Sequence, residues 1–186
     1  MPTLRLEAAD RAALLAHFLA LGSEDRRLRF GFIARDNTIE RYVKDIDFTR
    51  DAVFGVRNKS RRFDGVMHLA LNRQHAEIGV SVLERSRGRG IGSALVASAI
   101  THARNRGIDV LFMQCLSENC AIMHIANRLG MKVVTEGAES HASLSLKIAD
   151  QVALCDAVLR DAVLGKAHPV WPVPAFALPA KARVAA

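Results

Sequence analysis

The chain has 186 residues, of which half are hydrophobic and 24% are charged, and its formal net charge is +7. This composition is typical of one globular domain, and it excludes a membrane-spanning protein because no apolar run approaches the ~20 residues that a bilayer requires. The three cysteines lack the paired spacing of a zinc site or a disulfide framework, so we expect a cytoplasmic protein that binds no metal.

The first half of the chain predicts helices followed by antiparallel strands. In chain order we predict a strand at 3–6, a helix at 7–21, a short helix capped by residues 23–25, a helix at 38–45 capped by Asn37, and strands at 52–56, 65–72 and 76–83. In the last of these strands Ile78, Val80 and Val82 occur at every second position. This spacing predicts that they share one face of a sheet.

The second half predicts helices that alternate with buried strands. Apolar residues at i, i+4 spacing indicate a helix at 91–106, which Gly107 ends. In chain order there follow a strand at 110–115, a helix at 119–129 closed by Gly130, and strands at 131–135 and 143–148 that form a hairpin.

Residues beyond 148 differ in character from the rest. An amphipathic pattern predicts an added helix at 150–164, and residues 168–186 hold four of the five prolines together with Trp171 and Phe176. We therefore divide the chain into a domain at 1–148 and a C-terminal helix with a proline-containing tail at 149–186. The two aromatic side chains cover the core, line a dimer interface or cap a cleft, and these alternatives stay open.

A glycine-rich turn joins the strand at 76–83 to the helix at 91–106. Its glycines let the backbone approach a ligand closely, and the start of the helix offers unpaired N–H groups with a partial positive charge. Arginine side chains add fixed positive charge to the same turn. The residues that we predict to bind phosphate are Arg87, Gly88, Arg89, Gly90, Ile91, Gly92 and Ser93. The alternative is a tight connection with solvated arginines.

Two other phosphate motifs fit the sequence less well. A P-loop requires Gly-Lys followed by Ser or Thr, and the sequence has no such segment. A dinucleotide-binding fold has Gly-x-Gly-x-x-Gly early in a βαβ unit. The turn at 87–93 is instead preceded by strands that are predicted to be antiparallel.

The stretch from Ala76 to Met131 resembles the Gcn5-related N-acetyltransferase (GNAT) superfamily. The acetyl-CoA motif of that superfamily, Gln/Arg-x-x-Gly-x-Gly/Ala, is matched by Arg87, Gly90 and Gly92. Asn119 and the Leu-Gly-Met run that closes the following helix resemble a second signature of the superfamily. Two signatures at the right separation, with the expected elements between them, make the resemblance specific.

The resemblance covers roughly residues 3–148 and implies a fold class. That fold is α/β (α+β), with a mixed, mostly antiparallel sheet of six to seven strands flanked by helices. Its central parallel strands, here 76–83 and 110–115, splay apart at their C-terminal ends. The resemblance implies that the pantetheine arm of acetyl-CoA enters this gap and pairs with the backbone of Val80 and Val82.

The activity that the resemblance implies is acetyl transfer from acetyl-CoA to a primary amine of a small molecule or a protein lysine. A lysine amine with a pKa of about 10.4 must first lose a proton, which costs roughly 4–5 kcal/mol at pH 7. Glu77 resembles a glutamate that some lysine acetyltransferases of the superfamily carry on this strand, and it would act as a general base through water. Its alternative role is a solvent-facing carboxylate. Asn119 would contact the pantetheine arm, cap its helix, or do both.

The general acid is not assigned by the resemblance. Many members of the superfamily have a tyrosine seven residues after the asparagine, and Ala126 at that position has no proton to give. The segments 25–30 and 119–130 loosely resemble the bacterial protein-lysine acetyltransferases. This subgroup favours a protein lysine as the acceptor, with a small-molecule amine as the alternative.

Two functions of other classes remain as alternatives. One is a non-catalytic module that binds acyl-CoA as a sensor, which the missing general acid keeps open. The other is a nucleic-acid-binding protein that uses the net charge of +7, but aromatic residues are only 5% of the chain and no recognition motif is present. We therefore expect no nucleic acid and no membrane as partners, while a homodimer stays open.

Overall fold

The structure of the chain, a computed structural model, describes residues 2–147. They form a seven-stranded sheet with helices on both faces. The strands are β1 (Leu4–Leu6), β2 (Ala52–Arg57), β3 (Phe63–Asn72), β4 (His75–Val82), β5 (Val110–Leu116), β6 (Lys132–Glu136) and β7 (Glu139–Ser145). The helices are α1 (Arg11–Leu19), α2 (Ser23–Phe30), α3 (Asp36–Asp45), α4 (Ile91–Asn105) and α5 (Cys120–Arg128). The predicted helix at 150–164 and the tail lie outside the described residues.

The sheet is mixed, and its strands follow the order β1-β2-β3-β4-β5-β7-β6. The central pair, β4 and β5, is parallel. The other neighbouring pairs are antiparallel, and short turns join three of them, β2–β3, β3–β4 and β6–β7. The predicted mixed, mostly antiparallel sheet with one parallel pair at its centre is therefore confirmed.

The strands β2 and β3 alternate their side chains between two cores. Val66 belongs to the core that contains α1 and α3, whereas the adjacent Met67 belongs to the core beneath α4 and α5. Ile78, Val80 and Val82 all pack in the core beneath α4 and α5. The prediction that these three share one face is confirmed, and the odd-numbered residues of β4 consequently face the side that carries α1 and α3.

Two predicted helix caps are wrong. The helix α3 begins at Asp36, and the extended backbone of Arg35 precedes it as the N-cap, so Asn37 lies inside the first turn. An acidic residue at this end is favourable because it interacts with the helix dipole. The helix α2 begins at Ser23 with Gly22 as its N-cap and without a side-chain cap. Residues 23–25 are thus helical rather than capping.

The last predicted strand, 143–148, is displaced from the observed one. The observed strand β7 begins at Glu139 and ends at Ser145, and it forms the predicted hairpin with β6. Gly137 has a φ of +61°, which lets the chain reverse tightly and puts Glu136 opposite Glu139.

No helix within residues 2–147 is both long and apolar enough to span a bilayer.

Candidate active site

The parallel strands β4 and β5 pair over only part of their length. Their register ends with Ile78 opposite Met113. Among the described residues, β4 continues to Val82 and pairs there only with β3, while β5 continues to Leu116 and pairs there only with β7. A gap therefore opens between the C-terminal halves of the two central strands, as the resemblance implied.

Backbone groups of β4 are directed into this gap. The N–H of Leu83 donates to the carbonyl of Asp64 at 2.8 Å, so Leu83 directs its backbone groups at the chain of β3. Since backbone direction alternates along a strand, Val80 and Val82 direct theirs to the opposite side, where β5 has diverged. The carbonyl of Val82 accepts a bond from Nε of Arg87 at 3.3 Å. This edge offers an extended ligand the hydrogen-bonding groups of a strand.

The turn that follows β4 carries a set of backbone donors. Gly88 and Gly90 have φ values of +72° and +76°, and Gly90 is the N-cap of α4. Within residues 2–147, no acceptor is bonded to the backbone N–H groups from Gly88 to Ser93. The positive end of the helix dipole lies at the same place. The arrangement suits a phosphate group, because such N–H groups bind oxyanions.

The arginines of this turn differ in their surroundings. The guanidinium of Arg87 pairs with the carboxylate of Asp25 in α2, and that of Arg85 pairs with Asp64 at 3.2 Å. Arg89 is exposed. The positive charge at the turn is consequently smaller than the count of arginines indicates, and the backbone donors are the main feature of the site.

Asn119 is buried at the start of α5. Its Oδ1 accepts a hydrogen bond from the backbone N–H of Ile122 at 3.3 Å, and it is the N-cap of the helix. The capping role that the sequence left open is therefore observed. A contact with the pantetheine arm stays a prediction.

Glu77 projects from β4 on the face away from α4 and is exposed. In the sheet it lies between Ala70 of β3 and Phe112 of β5. Desolvation by its surroundings raises the pKa of Glu77, and the positive charge of Arg29 opposes this rise. A carboxylate with a raised pKa is better matched to proton removal near neutral pH than an ordinary one.

A hydrogen-bonded chain of side chains that the sequence did not predict approaches the same face. Nη2 of Arg29 donates to the hydroxyl of Tyr42 at 2.8 Å, and that hydroxyl lies 2.7 Å from Nδ1 of His68. Nε2 of His68 lies 3.1 Å from Oδ2 of the buried Asp51. Burial alone would raise the pKa of Asp51, but hydrogen bonds from His68 and Arg50 outweigh it and hold that pKa well below its usual range.

Within residues 2–147 we assign no general acid near the gap. Ala126 is fully buried in the core beneath α5. The hydroxyl of Ser117 donates to the carbonyl of Gly137 at 3.3 Å, and Cys120 is exposed at the start of α5. Within the described part of the chain, no group of three His, Cys, Asp or Glu side chains is arranged to hold a metal ion.

Comparison with known proteins adds the family to this geometry. The model of the Acetyltransferase (GNAT) family matches residues 24–131 of the chain. This match contains the gap, the glycine-rich turn and the helix capped by Asn119. No curated protein sequence matches the chain significantly.

Solved structures share the fold at low sequence identity. The GNAT domain of S. lividans PAT is 17% identical with a TM-score of 0.66, and the match covers 77% of this chain and 89% of that chain. The spermidine N-acetyltransferase of Vibrio cholerae, solved with CoA and spermine, is 15% identical with a TM-score of 0.62, covering 78% of this chain and 95% of that chain. The ribosomal-protein-alanine N-acetyltransferase of Brucella melitensis is 17% identical with a TM-score of 0.61, covering 78% and 99%.

Proposed function

The chain belongs to the acetyltransferase (GNAT) family, and from this premise we propose that it transfers an acetyl group from acetyl-CoA to a primary amine. The observation that carries the proposal is the set of N–H groups from Gly88 to Ser93 at the open end of the β4–β5 gap, which have no acceptor within residues 2–147. A diphosphate matches such donors in charge and in hydrogen-bonding capacity.

The residues of the site fit acetyl-CoA in two further respects. The backbone of Val80 and Val82 supplies strand-like donors and acceptors for the amide groups of a pantetheine arm. A Cβ at Gly90 would have no atom within 4 Å, so the turn has open space beside its donors. Acetyl-CoA supplies the activated acyl group, and the chain supplies binding, orientation and proton removal.

Glu77 is the proposed general base. An amine attacks only when neutral, and for a lysine the deprotonation costs roughly 4–5 kcal/mol at pH 7. The carboxylate of Glu77, acting through a water molecule, would take this proton on the face of β4 opposite α4. The proton for the departing thiolate would come from solvent, since a thiol with a pKa of about 8.5 is readily protonated.

The alternative is a non-catalytic module that binds acyl-CoA. The observation that favours it is the fully buried Ala126, which has no proton to give at the position where many members of the superfamily have a tyrosine. Loose resemblance to bacterial protein-lysine acetyltransferases favours a lysine acceptor. A cytoplasmic location and a homodimer stay predictions from the sequence.

Calorimetry and a turnover assay test the proposal together. We expect the purified protein to bind CoA and acetyl-CoA and to release free CoA thiol when primary amines are added. Binding without turnover across amino acids, polyamines and lysine peptides would favour the sensor. A protein that binds neither CoA nor acetyl-CoA would contradict both functions.

A further inference from the structure

The guanidinium of Arg29 occupies the place of a side chain on β4. A Cβ added to Gly79 would overlap with Nη2 and Cζ of Arg29 and would lie 2.7 Å from its Nη1. Gly79 follows Ile78, the last residue that pairs with β5. The cation therefore rests on the backbone where the gap begins, on the same face of β4 as Glu77.

The charge of Arg29 has no counter-ion in the described part of the chain. Residues 2–147 place no carboxylate within ion-pair distance of it, and its Nε is buried without an acceptor. The hydroxyl of Tyr42 accepts its one side-chain hydrogen bond. Three rings surround the guanidinium, those of Phe18, Phe30 and Tyr42, with Cζ at 5.9, 5.0 and 5.5 Å from their centroids. Aromatic faces attract a cation but accept none of its remaining N–H groups in ordinary hydrogen bonds.

The other two arginines of α2 are fully paired by comparison. Arg26 binds Asp36 at 2.6 Å. Arg27 binds Glu24 at 2.7 Å and Glu118 at 2.6 Å. Within this helix, the unpaired arginine is the one that lies over the β4–β5 gap.

The hydrogen-bonded chain behind Arg29 fixes its orientation. An arginine N–H only donates, so the hydroxyl of Tyr42 accepts from it and donates its own proton to Nδ1 of His68. Nε2 of His68 then carries a proton and donates to Asp51, whose other oxygen accepts from the N–H of Leu71 at 3.2 Å. This direction gives a partner to the hydroxyl of Tyr42 and to both ring nitrogens of His68. Such support is found where a side chain must be held in position.

Glu77 provides the opposite charge beside this cation. It lies two residues before Gly79, which separates the two Cα atoms by roughly 6.6 Å in a strand. Although Arg29 and Glu77 attract each other, they form no ion pair. A guanidinium fork and a carboxylate thus lie side by side at the mouth of the gap. This pair is complementary to a molecule that carries a carboxylate close to its ammonium group.

We propose that the acceptor is a small zwitterionic amine, an amino acid or a close analogue, whose carboxylate is bound by Arg29 while Glu77 receives the ammonium proton through water. The inference rests on the proposed function. In the transfer a nitrogen–carbon bond forms and the carbon–sulfur bond breaks. The CoA thiolate leaves and takes a proton from solvent, and the protons of the ammonium group pass to water and Glu77.

Matched acceptors provide the test, because an amino acid and its amide differ in structure only at the carboxylate. The two are compared at equal concentrations of the neutral amine, since the amide has the lower amine pKa. We expect kcat/KM for the amino acid to exceed that for the amide by about 10- to 100-fold, the usual effect of a charge-assisted bidentate contact. Arg29→Gln should abolish this preference, and Arg29→Lys should retain part of it, while the affinity for CoA stays unchanged. Arg27→Gln, which alters a paired arginine of the same helix, should leave the preference intact.

Two further variants keep the test decisive if Arg29→Gln unfolds. Tyr42→Phe removes the acceptor that orients the guanidinium and should raise KM for the amino acid more than it lowers kcat. Gly79→Ala should displace the guanidinium and have the same effect. A wild-type protein that prefers amides, spermine or lysine peptides over amino acids overturns the inference but leaves acetyl transfer standing. If the wild-type protein does not bind CoA, the proposed function itself is overturned.

Discussion

Ile78 of β4 lies opposite Met113 of β5, and this is the last pair that joins the two parallel strands. Glu77 precedes Ile78 by one residue, and Gly79, over which Arg29 lies, follows it by one. Beyond this point one side of β4 has no neighbouring strand within residues 2–147, so its backbone groups require another partner. Divergence of the two strands therefore brings the proposed cofactor edge, the base and the cation to one place.

The glycine-rich turn at residues 87–93 predicts the effect of adding a negative charge at Gly90. Gly90→Glu should weaken CoA binding by on the order of 100-fold, because a carboxylate would enter the space beside the N–H donors and repel a diphosphate. Calorimetric titration with CoA measures this loss.

Gly107→Glu is the matched control for that variant. Gly107 follows the other end of α4, has a φ of +68° compared with +76° at Gly90, and also has no atom within 4 Å of an added Cβ. Both variants therefore carry the same charge and similar backbone strain. If the two variants lose CoA affinity equally, backbone strain rather than charge repulsion at the glycine-rich turn is responsible. Undiminished affinity in Gly90→Glu would place the cofactor elsewhere.

Removal of the carboxylate at Glu77 should slow the reaction without affecting the cofactor. Glu77→Gln is expected to lower kcat by about 100-fold or more, the usual contribution of a general base, with the Kd for CoA unchanged. In the wild type the rate should rise with pH through the raised pKa of Glu77, since the base must be deprotonated. This limb of the profile should be missing from the variant. Glu84→Gln, at an exposed carboxylate just after β4, should behave like the wild type.

Local patterns explain why much of the sheet and the turn could be predicted. The alternation of Ile78, Val80 and Val82 depends only on which face of a strand is buried. The glycine-rich turn and the cap at Asn119 are likewise encoded within a few residues. The sequence pattern predicts too late a start for β7 because Ser140 and His141 are polar, as loop residues often are, although Ser140 is buried and both residues pair in the sheet.

Long-range contacts explain what the sequence did not reveal. Gly79 in the middle of a strand was itself a signal, since a strand glycine often marks a close approach by another group. The approaching group, Arg29, lies in a separate helix far away in the sequence. Its helix has three arginines, and only the folded chain distinguishes the unpaired one from those that carboxylates neutralise.

Asn119 provides a way to separate capping from cofactor binding. Asn119→Ala should reduce the free energy of unfolding by about 1 kcal/mol, because the N–H of Ile122 loses its acceptor. Asn119→Ser retains a capping oxygen and should preserve most of this stability. If Asn119 also contacts the pantetheine arm, the serine variant should show a raised KM for acetyl-CoA at nearly native stability. An unchanged KM in that variant would confine Asn119 to the cap.

The buried imidazole of His17 should make the stability of the protein depend on pH. It is buried in α1, with Nδ1 at 2.9 Å from the carbonyl of Phe63 and Nε2 at 2.8 Å from the hydroxyl of Ser81. Burial lowers the pKa of His17 to about 4, against the opposing effect of its bond to Phe63. The folded protein therefore resists protonation at pH values where the unfolded chain, with a pKa of about 6.5, accepts a proton.

The sign of the effect follows from proton uptake. Between about pH 6.5 and pH 4 the unfolded state binds more protons at His17, so stability falls as the pH falls, by up to about 3 kcal/mol. The carboxylates with lowered pKa values, Glu24, Asp47, Asp51 and Asp64, act mainly below this window, since the unfolded pKa is about 3.9 for Asp and about 4.3 for Glu. His17→Gln can keep both hydrogen bonds without titrating. Urea denaturation at pH 7 and pH 4 should therefore show a smaller loss of stability in the variant than in the wild type, and equal losses would show that His17 is protonated in the folded protein.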